Sequence, residues 1–312
     1  MFVSPDSSSI IKLALAEDFG VSPDMFGPAA FGDPRLLERD VTSFSAIGLD
    51  ARFSGTIVAR QRCTVAGLAV VAEVYDMLSA AAGIIDPIEV FPLVAEGTRV
   101  DVGTPVAQVE GVAVAVLAGE RTALDFLMQL SGIATQTAAW VKAARGRFAV
   151  CDTRKTPPGL RALAKYAVSV GGGVNHRFGL HDMVLIKDNH ILRAGGITAA
   201  VGKARAAHAD LPIEVEADSL PQAIEAVAAG ADMVLLDNFS DAKLAAAVLK
   251  VRSAAEKTGR TVLIEASGGI TLARVPALRA SGVDRVSTSA LTFGAPIIDF
   301  GLDEAIDGGG AA

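Results

Sequence analysis

Residues 213–239, IEVEADSLPQAIEAVAAGADMVLLDNF, contain a short apolar strand, a helical stretch and a second apolar strand. The two strands are Ile213–Ala217 and Met233–Leu236. Strands that alternate with helices predict βα units, in which neighbouring strands run parallel. Four more segments of this kind follow residue 147: Phe148–Asp152, Met183–Lys187, Leu263–Ala266 and Arg285–Thr288. Six strands are fewer than the eight of a regular β/α barrel, so we expect an incomplete or modified barrel.

The chain before residue 148 has a different pattern. Its predicted segments are a helix from Ser9 to Ala16, a long loop from Val21 to Asp40, a strand at Arg52–Arg62, a helix at Leu68–Ala82, strands around glycine turns in Glu96–Gly111, and a helical region at Arg121–Arg145. Asp299–Leu302 is expected to pair back with this part. We therefore predict an α/β chain with a first domain at 1–128, to which 299–312 returns, and a barrel domain at 129–298.

Composition excludes several classes of protein. No apolar run reaches the roughly 18 residues of a membrane span, and Met1–Gly20 lacks the pattern of a signal peptide. The two cysteines give no disulfide framework, which favours a reduced cytoplasm. A net charge of −7 argues against a nucleic-acid partner. Residues 152–193 are the exception: seven Lys or Arg against three Asp give a local balance of +4. This island indicates an anionic ligand or a solvated surface.

Polar residues follow the predicted barrel strands, at the point where each strand ends. They include Thr153-Arg154-Lys155, Lys187-Asp188-Asn189-His190, Asp237-Asn238, Ser267-Gly268-Gly269 and Ser289. Because a barrel brings these ends to one rim, where β/α barrels place their active sites, we predict a functional site there.

Glu216 and Asp237 are candidate ligands of Mg²⁺, which prefers oxygen, although each could instead pair with a lysine or arginine. Ser267-Gly268-Gly269 offers backbone N–H groups for a phosphate. Arg177 can grip a carboxylate with two parallel hydrogen bonds, while His176 could equally be a structural loop histidine. The other histidines show no zinc-ligand spacing.

Several segments resemble the quinolinate phosphoribosyltransferases (nicotinate-nucleotide pyrophosphorylase, carboxylating) over roughly residues 40–303. The most specific are Thr153-Arg154-Lys155-Thr156 with Pro158-Gly159-Leu160-Arg161, Gly171-Gly172-Gly173-Val174-Asn175-His176-Arg177, and Leu185-Ile186-Lys187-Asp188-Asn189-His190. Others are Glu120-Arg121-Thr122-Ala123-Leu124, Glu214-Val215-Glu216, Leu236-Asp237-Asn238-Phe239 and Glu265-Ala266-Ser267-Gly268-Gly269-Ile270.

The resemblance implies an N-terminal α/β sandwich, a C-terminal α/β barrel and an obligate homodimer. It implies that quinolinate and phosphoribosyl pyrophosphate react to nicotinate mononucleotide, carbon dioxide and pyrophosphate. By the same resemblance, Arg154, His176, Arg177 and Lys187 bind the two carboxylates of quinolinate, and Arg121 completes the partner's site. Lys155, Glu216, Asp237 and the Ser267–Gly269 turn hold the phosphoribosyl pyrophosphate and its Mg²⁺, and Thr153, Ser287 and Ser289 complete the expected substrate-binding set.

Three departures from the family pattern stand out. The chain inserts Val21–Arg39 before Asp40-Val41-Thr42-Ser43. Near the end, Ser289 replaces a glycine that contacts phosphate and Phe293 replaces a histidine. Pro157-Pro158 adds a proline that should stiffen its loop.

Three other functions remain open at this point. A paralogue, such as the molybdenum-operon proteins, would use another base or acid. A Schiff-base aldolase would use Lys187 as its nucleophile. A non-catalytic anion-binding protein could share the scaffold, although the acid pair Glu216 and Asp237 speaks against it. The phosphoribosyl transfer needs no protein nucleophile and no organic cofactor.

Overall fold

The computed structural model describes residues 6–27 and 32–305. Residues 28–31 of the predicted Val21–Asp40 loop and 306–312 of the predicted returning segment lie outside the described residues, as do residues 1–5. The elements as far as residue 144 are α1 (Ser8–Phe19), 3₁₀ turns at Pro23–Phe26 and Pro34–Arg39, α2 (Val41–Ala46), β1 (Arg52–Ala59), β2 (Cys63–Thr64), α3 (Leu68–Ala81), β3 (Glu89–Pro92), β4 (Arg99–Val100), β5 (Pro105–Val112) and α4 (Ala113–Ala144).

The rest of the chain alternates strands with helices. The elements are β6 (Ala149–Cys151), α5 (Arg161–Val170), β7 (Val184–Ile186), α6 (Asp188–Ala194), α7 (Ile197–Ala207), β8 (Ile213–Ala217), α8 (Leu220–Ala229), β9 (Met233–Asp237), α9 (Asp241–Lys257), β10 (Leu263–Ser267), α10 (Val275–Ser281), β11 (Arg285–Ser287) and β12 (Phe300–Glu304), with 3₁₀ turns at Leu272–Arg274 and Ser289–Leu291.

The chain divides into two compact units. The first comprises Met1–Gln136, Pro158–Gly171 and Ala295–Ala312, and the second comprises Thr137–Pro157 and Gly172–Gly294. Helix α5 therefore belongs to the first unit, although it follows the first barrel strand in the sequence.

An antiparallel sheet in the order β12-β1-β5-β3 organises the first unit. Strand β12 pairs with β1 from Gly55 opposite Glu304 to Ala59 opposite Phe300, which is the return expected for the C-terminal segment. The core of this unit contains fully buried side chains of α3 and α4, among them Tyr75, Leu78 and Leu127. Helices α3 and α4 approach closely at Gly119, where a Cβ atom would lie 2.9 Å from the Tyr75 ring.

One expectation for the first unit is wrong in detail. The Val21–Asp40 segment is not a plain loop, because proline begins each of its two 3₁₀ turns and the side chains of Ser22 and Asp33 accept hydrogen bonds at their N-caps. The strands predicted within Glu96–Gly111 are present as β4 and β5: β4 pairs with β2, and β5 pairs with β1 and β3.

The second unit confirms the six parallel strands, in the order β6-β11-β10-β9-β8-β7. The first strand lies beside the last, so the sheet curls round as a barrel does. Within residues 32–305 no pairing joins β6 to β7, and the barrel is open there. The α/β fold class with an incomplete barrel is thus confirmed.

The βαβ unit formed by β8, α8 and β9 shows how the sequence ends one element and begins the next. Pro221 lies in the first turn of α8, where its missing N–H would have no helical partner. Gly230 ends the helix with φ 97°, a left-handed conformation that glycine adopts freely. Met233 then begins β9.

Among the described residues, no helix combines the length and the apolar character needed to cross a membrane.

Candidate active site

The carboxyl ends of the six parallel strands surround a cavity of about 450 Å³. Every predicted site residue except Arg121 and Ser289 lines it. The lining residues are Thr153, Arg154, Lys155, His176, Arg177, Leu185, Lys187, Glu216, Leu235, Asp237, Asn238, Ser267, Gly268, Gly269 and Ser287. The cavity therefore brings together the cationic and acidic side chains that the strand ends predicted.

A larger groove of about 600 Å³ lies in the first unit, next to the inserted segment. Its two arginines already have partners: Arg35 pairs with Asp33, and Arg39 donates to the carbonyls of Phe19 and Gly20. We therefore place the chemistry in the smaller cavity, where four lysines and arginines converge with two acids at the strand ends.

Arg121 and Ser289 do not line the cavity. Arg121 is exposed on α4 and forms an ion pair with Asp125 at 3.2 Å, one turn further along the same helix. Ser289 begins a 3₁₀ turn, and its carbonyl accepts hydrogen bonds from the main chain of Thr292 and Phe293. The Thr292 hydroxyl also donates to the Lys155 carbonyl at 2.7 Å, so this turn fixes the loop that carries Lys155.

Three cations line one side of the cavity: Arg154 and Lys155 in the loop after β6, and Arg177 further along the chain. The Thr153 hydroxyl accepts a hydrogen bond from the Lys155 N–H at 3.0 Å, which closes a tight local turn. Burial, followed by repulsion from Arg154, lowers the pKa of the Arg177 guanidinium. One Arg177 nitrogen donates to the Met183 carbonyl at 3.2 Å. Two like charges held together in this way favour an anion between them.

Beneath His176 lies a fully buried acid pair, Glu214 and Glu265. His176 Nε2 lies 3.0 Å from a Glu214 oxygen and 3.4 Å from a Glu265 oxygen, and the Arg285 Nε lies 3.2 Å from the other Glu265 oxygen. Burial alone would lower the pKa of His176, but the two glutamates outweigh it and raise this pKa to about 9. Burial also raises the pKa of Glu214, with Glu265 as the second cause. His176 and Glu214 therefore hold a proton firmly between them.

The orientation of the imidazole locates that proton. The Arg177 main-chain N–H donates to His176 Nδ1 at 2.8 Å, so Nδ1 accepts and the ring proton lies on Nε2, toward the glutamates. An imidazolium would also carry a proton on Nδ1, which would oppose the Arg177 N–H, so the additional proton that the raised pKa of His176 implies lies on Glu214, across the Nε2 contact. Although burial opposes it, contacts with His176 and Arg285 lower the pKa of Glu265, which stays charged. Both ring nitrogens thus face the protein, and the predicted contact between His176 and a substrate carboxylate stays a prediction.

Within the described residues, His176, Glu214 and Glu265 form the one group of three side chains close enough to share a metal ion. Arg285 occupies the position of a cation beside them, so we interpret this group as internal charge pairing.

The acids that face the cavity fit Mg²⁺ better. Glu216 forms an ion pair with Lys187. Burial, then repulsion from Glu216 and Asp218, raises the pKa of Asp237. Three carboxylates crowded around this end of the cavity concentrate negative charge, and a divalent cation with its own water ligands relieves it. The oxygen donors of Glu216 and Asp237 therefore suit the metal that the family resemblance implies.

The turn after β10 is built to receive an anion. Gly268 and Gly269 have φ values of 80° and 55°, which a side chain would strain. The Arg274 guanidinium donates hydrogen bonds to the carbonyls of Gly268 and Gly269, at 3.1 and 3.2 Å. Since the N–H of a trans peptide points opposite to its carbonyl, the N–H groups that follow these carbonyls face away from Arg274.

Sequence reasoning missed two lining residues and the buried layer. Leu185 and Leu235 form apolar walls. Period-two alternation predicts Leu185 on the face of Lys187, and the same rule applied to Asp237 could have placed Leu235. Asn238 lay within a quoted motif but received no role. The pairing of Glu265 with His176 joins residues distant in sequence, so no local pattern signals it.

Comparisons with known proteins point to one family. The family model "Quinolinate phosphoribosyl transferase, N-terminal domain" matches residues 40–131, and "Quinolinate phosphoribosyl transferase, C-terminal domain" matches 133–303. A Mycobacterium leprae protein named nicotinate-nucleotide pyrophosphorylase [carboxylating] is 42% identical over 265 residues, 85% of this chain and 90% of its own length. A human protein of the same name is 46% identical over 213 residues, 66% of this chain and 70% of its own. The solved nicotinate-nucleotide pyrophosphorylase of Francisella tularensis has a TM-score of 0.83 at 32% identity, covering 97% of this chain and 98% of its own.

Proposed function

The chain belongs to the quinolinate phosphoribosyltransferase family, and from that premise we propose that it makes nicotinate mononucleotide for NAD biosynthesis. Quinolinate and phosphoribosyl pyrophosphate are the substrates, and carbon dioxide and pyrophosphate are released. The observation that carries this proposal is a single cavity lined by four cations, Arg154, Lys155, Arg177 and Lys187, beside the acids Glu216 and Asp237. Two anionic substrates and a metal require such a set.

The cations divide the work of binding. Arg154 and Arg177, held together despite their repulsion, are suited to the two carboxylates of quinolinate. Lys187 is paired with Glu216 and links this side of the cavity to the acids. Lys155 and the Ser267–Gly269 turn are suited to the phosphates, and their main-chain hydrogen bonds fix them in advance of binding.

The reaction follows from this arrangement. Glu216 and Asp237 would hold Mg²⁺, which would neutralise the charge of the pyrophosphate leaving group. Glu216 and Asp237 face the cavity with carboxylates that can stabilise positive charge on the ribose carbon as its bond to pyrophosphate breaks. The pyridine nitrogen then attacks that carbon and becomes positively charged. The pyridinium nitrogen stabilises the electron pair that stays on C2 when the 2-carboxylate leaves as carbon dioxide. A proton from solvent then forms the C2–H bond of the product, so no protein nucleophile is needed.

The aldolase alternative loses support at Lys187. An amine nucleophile must be neutral, and the Glu216 carboxylate beside it stabilises the ammonium form instead. We also propose that the protein works as a homodimer, with Arg121 reaching the partner's cavity, and that it acts in the cytoplasm, where its two free, buried thiols would stay reduced.

The direct test is an assay with quinolinate, phosphoribosyl pyrophosphate and Mg²⁺. We expect nicotinate mononucleotide and carbon dioxide in equal amounts, measured by chromatography and by release of label from the 2-carboxylate. Nicotinate, which has one carboxylate, should be a much poorer substrate. Equal use of nicotinate, or no product from quinolinate, would refute the proposed substrate.

The metal is tested by chelation. EDTA should abolish turnover and excess Mg²⁺ should restore it, because Glu216 and Asp237 offer the carboxylate oxygens that Mg²⁺ prefers at the edge of the same cavity. Asp237→Asn should weaken phosphoribosyl pyrophosphate binding in calorimetry, whereas Glu256→Gln, on the exposed face of α9, should not. Undiminished activity in chelator would remove Mg²⁺ from the mechanism.

Arg177→Lys tests whether Arg177 binds a carboxylate of quinolinate through two parallel hydrogen bonds. The charge remains but the two-pronged geometry is lost, so we expect the Kd of quinolinate to rise roughly ten- to a hundredfold. The Kd of phosphoribosyl pyrophosphate should change little. Arg193→Lys, the same change at an exposed position of α6, is the control. An equal loss of both affinities would show that Arg177 is structural or serves the phosphate.

A further inference from the structure

Asn238 has an unusual backbone conformation at the end of β9. Its φ of 56° is left-handed, and Arg145 is the only other residue besides glycine with a positive φ in the part of the chain that the structure describes. For a residue with a side chain this conformation is strained, although asparagine tolerates it better than most. Its N–H donates to the Ser267 carbonyl at 3.0 Å, which ties the end of β9 to the end of β10.

The side chain of Asn238 contacts two parts of the cavity at once. Its Nδ2 donates to Asp237 Oδ2 at 2.6 Å. On the other side, a Cβ atom at Gly268 would lie only 2.3 Å from Asn238 Oδ1, so the amide is pressed against the glycine turn. Asn238 therefore connects an acid that faces the cavity with the turn whose N–H groups can receive an anion.

Each of these contacts restricts one of the groups assigned above to phosphoribosyl pyrophosphate. The hydrogen bond to Oδ2 fixes the plane of the Asp237 carboxylate. The contact with Gly268 fixes the position of the Ser267–Gly269 turn relative to Asp237. Within the described part of the chain, the contacts of the Asn238 side chain with Asp237 and Gly268 involve none of the four cations assigned to quinolinate or phosphate. The amide thus acts on one half of the cavity.

We propose that Asn238 is a positioning residue for phosphoribosyl pyrophosphate, which holds Asp237 and the Ser267–Gly269 turn in one fixed arrangement. The inference rests on the proposed function and adds a residue to its phosphate half.

Two variants separate the side chain from the backbone. Asn238→Gly keeps the left-handed conformation without steric cost and removes only the amide. Asn238→Asp keeps the shape against Gly268 but cannot donate to Asp237, and it adds a like charge. Arg145→Gly makes the same backbone change at the other positive φ, outside the cavity.

The measurements are the KM of each substrate, the Kd of phosphoribosyl pyrophosphate by calorimetry, and the thermal midpoint without ligand. Asn238→Gly should raise the KM and Kd of phosphoribosyl pyrophosphate about tenfold, which corresponds to one charge-assisted hydrogen bond. Asn238→Asp should raise them at least as much, and the KM of quinolinate should stay within about twofold in both. Arg145→Gly should match the wild type.

The outcomes separate the two proposals. If wild-type protein makes no nicotinate mononucleotide, the proposed function fails and this inference fails with it. If the wild type is active and both Asn238 variants bind phosphoribosyl pyrophosphate normally, the positioning role alone is refuted. An equal rise in the KM of both substrates, or a lowered thermal midpoint that accounts for the loss, would show a general structural role instead.

Discussion

Two inactive variants, Arg121→Ala and Lys155→Ala, are expected to regain about a quarter of wild-type activity when they are mixed and exchange subunits. Arg121 is exposed on α4, forms an ion pair with Asp125 on the same helix, and does not line its own cavity. If it completes the cavity of a partner subunit, a mixed dimer has one site with both defects and one with neither. Random exchange makes half the dimers mixed, and each mixed dimer has one of two sites intact.

A second mixture of variants controls for recovery of activity that does not depend on a site shared between subunits. Arg154→Ala and Lys155→Ala both alter the same cavity, so every site of their mixed dimer carries one defect and activity should stay absent. Subunit exchange is verified by native mass spectrometry before the assay. If exchange is complete and the Arg121 mixture stays inactive, Arg121 acts within its own subunit or only in folding.

Replacing the buried Glu265 by glutamine is expected to destabilise the protein by about 3–5 kcal/mol at pH 7. The change leaves Arg285 without its carboxylate and removes one of the two acids beneath His176. A buried charge that loses its partner keeps its full desolvation cost, because no water replaces the partner. The free energy of unfolding is measured by urea denaturation.

The pH dependence and a control sharpen this result. The folded protein lowers the pKa of Glu265 below its ordinary value of 4.5. Its contribution is therefore present above pH 4.5 and is lost as the pH falls through the folded value, so the difference between wild type and variant should shrink in acid. Arg62→Ala breaks an exposed ion pair with Asp101 and should cost less than about 1 kcal/mol. An equally small loss for Glu265→Gln would mean that the buried charges do not depend on one another.

Much of the barrel and its cavity was predictable because the signals are local. Each strand is a short apolar run, and the polar residue after it lies at the cavity edge, as Lys187 and Asp237 show. Ile213–Ala217 has the same limits in the sequence and in the structure. Period-two alternation also predicts that Glu214 and Glu216 share a face, and both lie on the side of His176 and the cavity.

The rest depends on contacts between distant residues. The pairing of β4 with β2 could not be derived, because two residues on each strand carry too weak a pattern to set a partner. The membership of α5 in the first unit depends on packing that its amphipathic pattern does not specify. The left-handed conformation of Asn238 is likewise set by Ser267 and Gly268, some thirty residues away.

Because β12 pairs with β1, the sheet of the first unit is completed late in synthesis. This sheet joins Gly55 to Glu304, so a ribosome must synthesise nearly the whole chain before that sheet can be completed. The six barrel strands lie between residues 149 and 287 and have all been synthesised earlier. During translation the second unit can therefore mature while the N-terminal segments wait for their last strand, with the β1 edge exposed to chaperones or to other nascent chains.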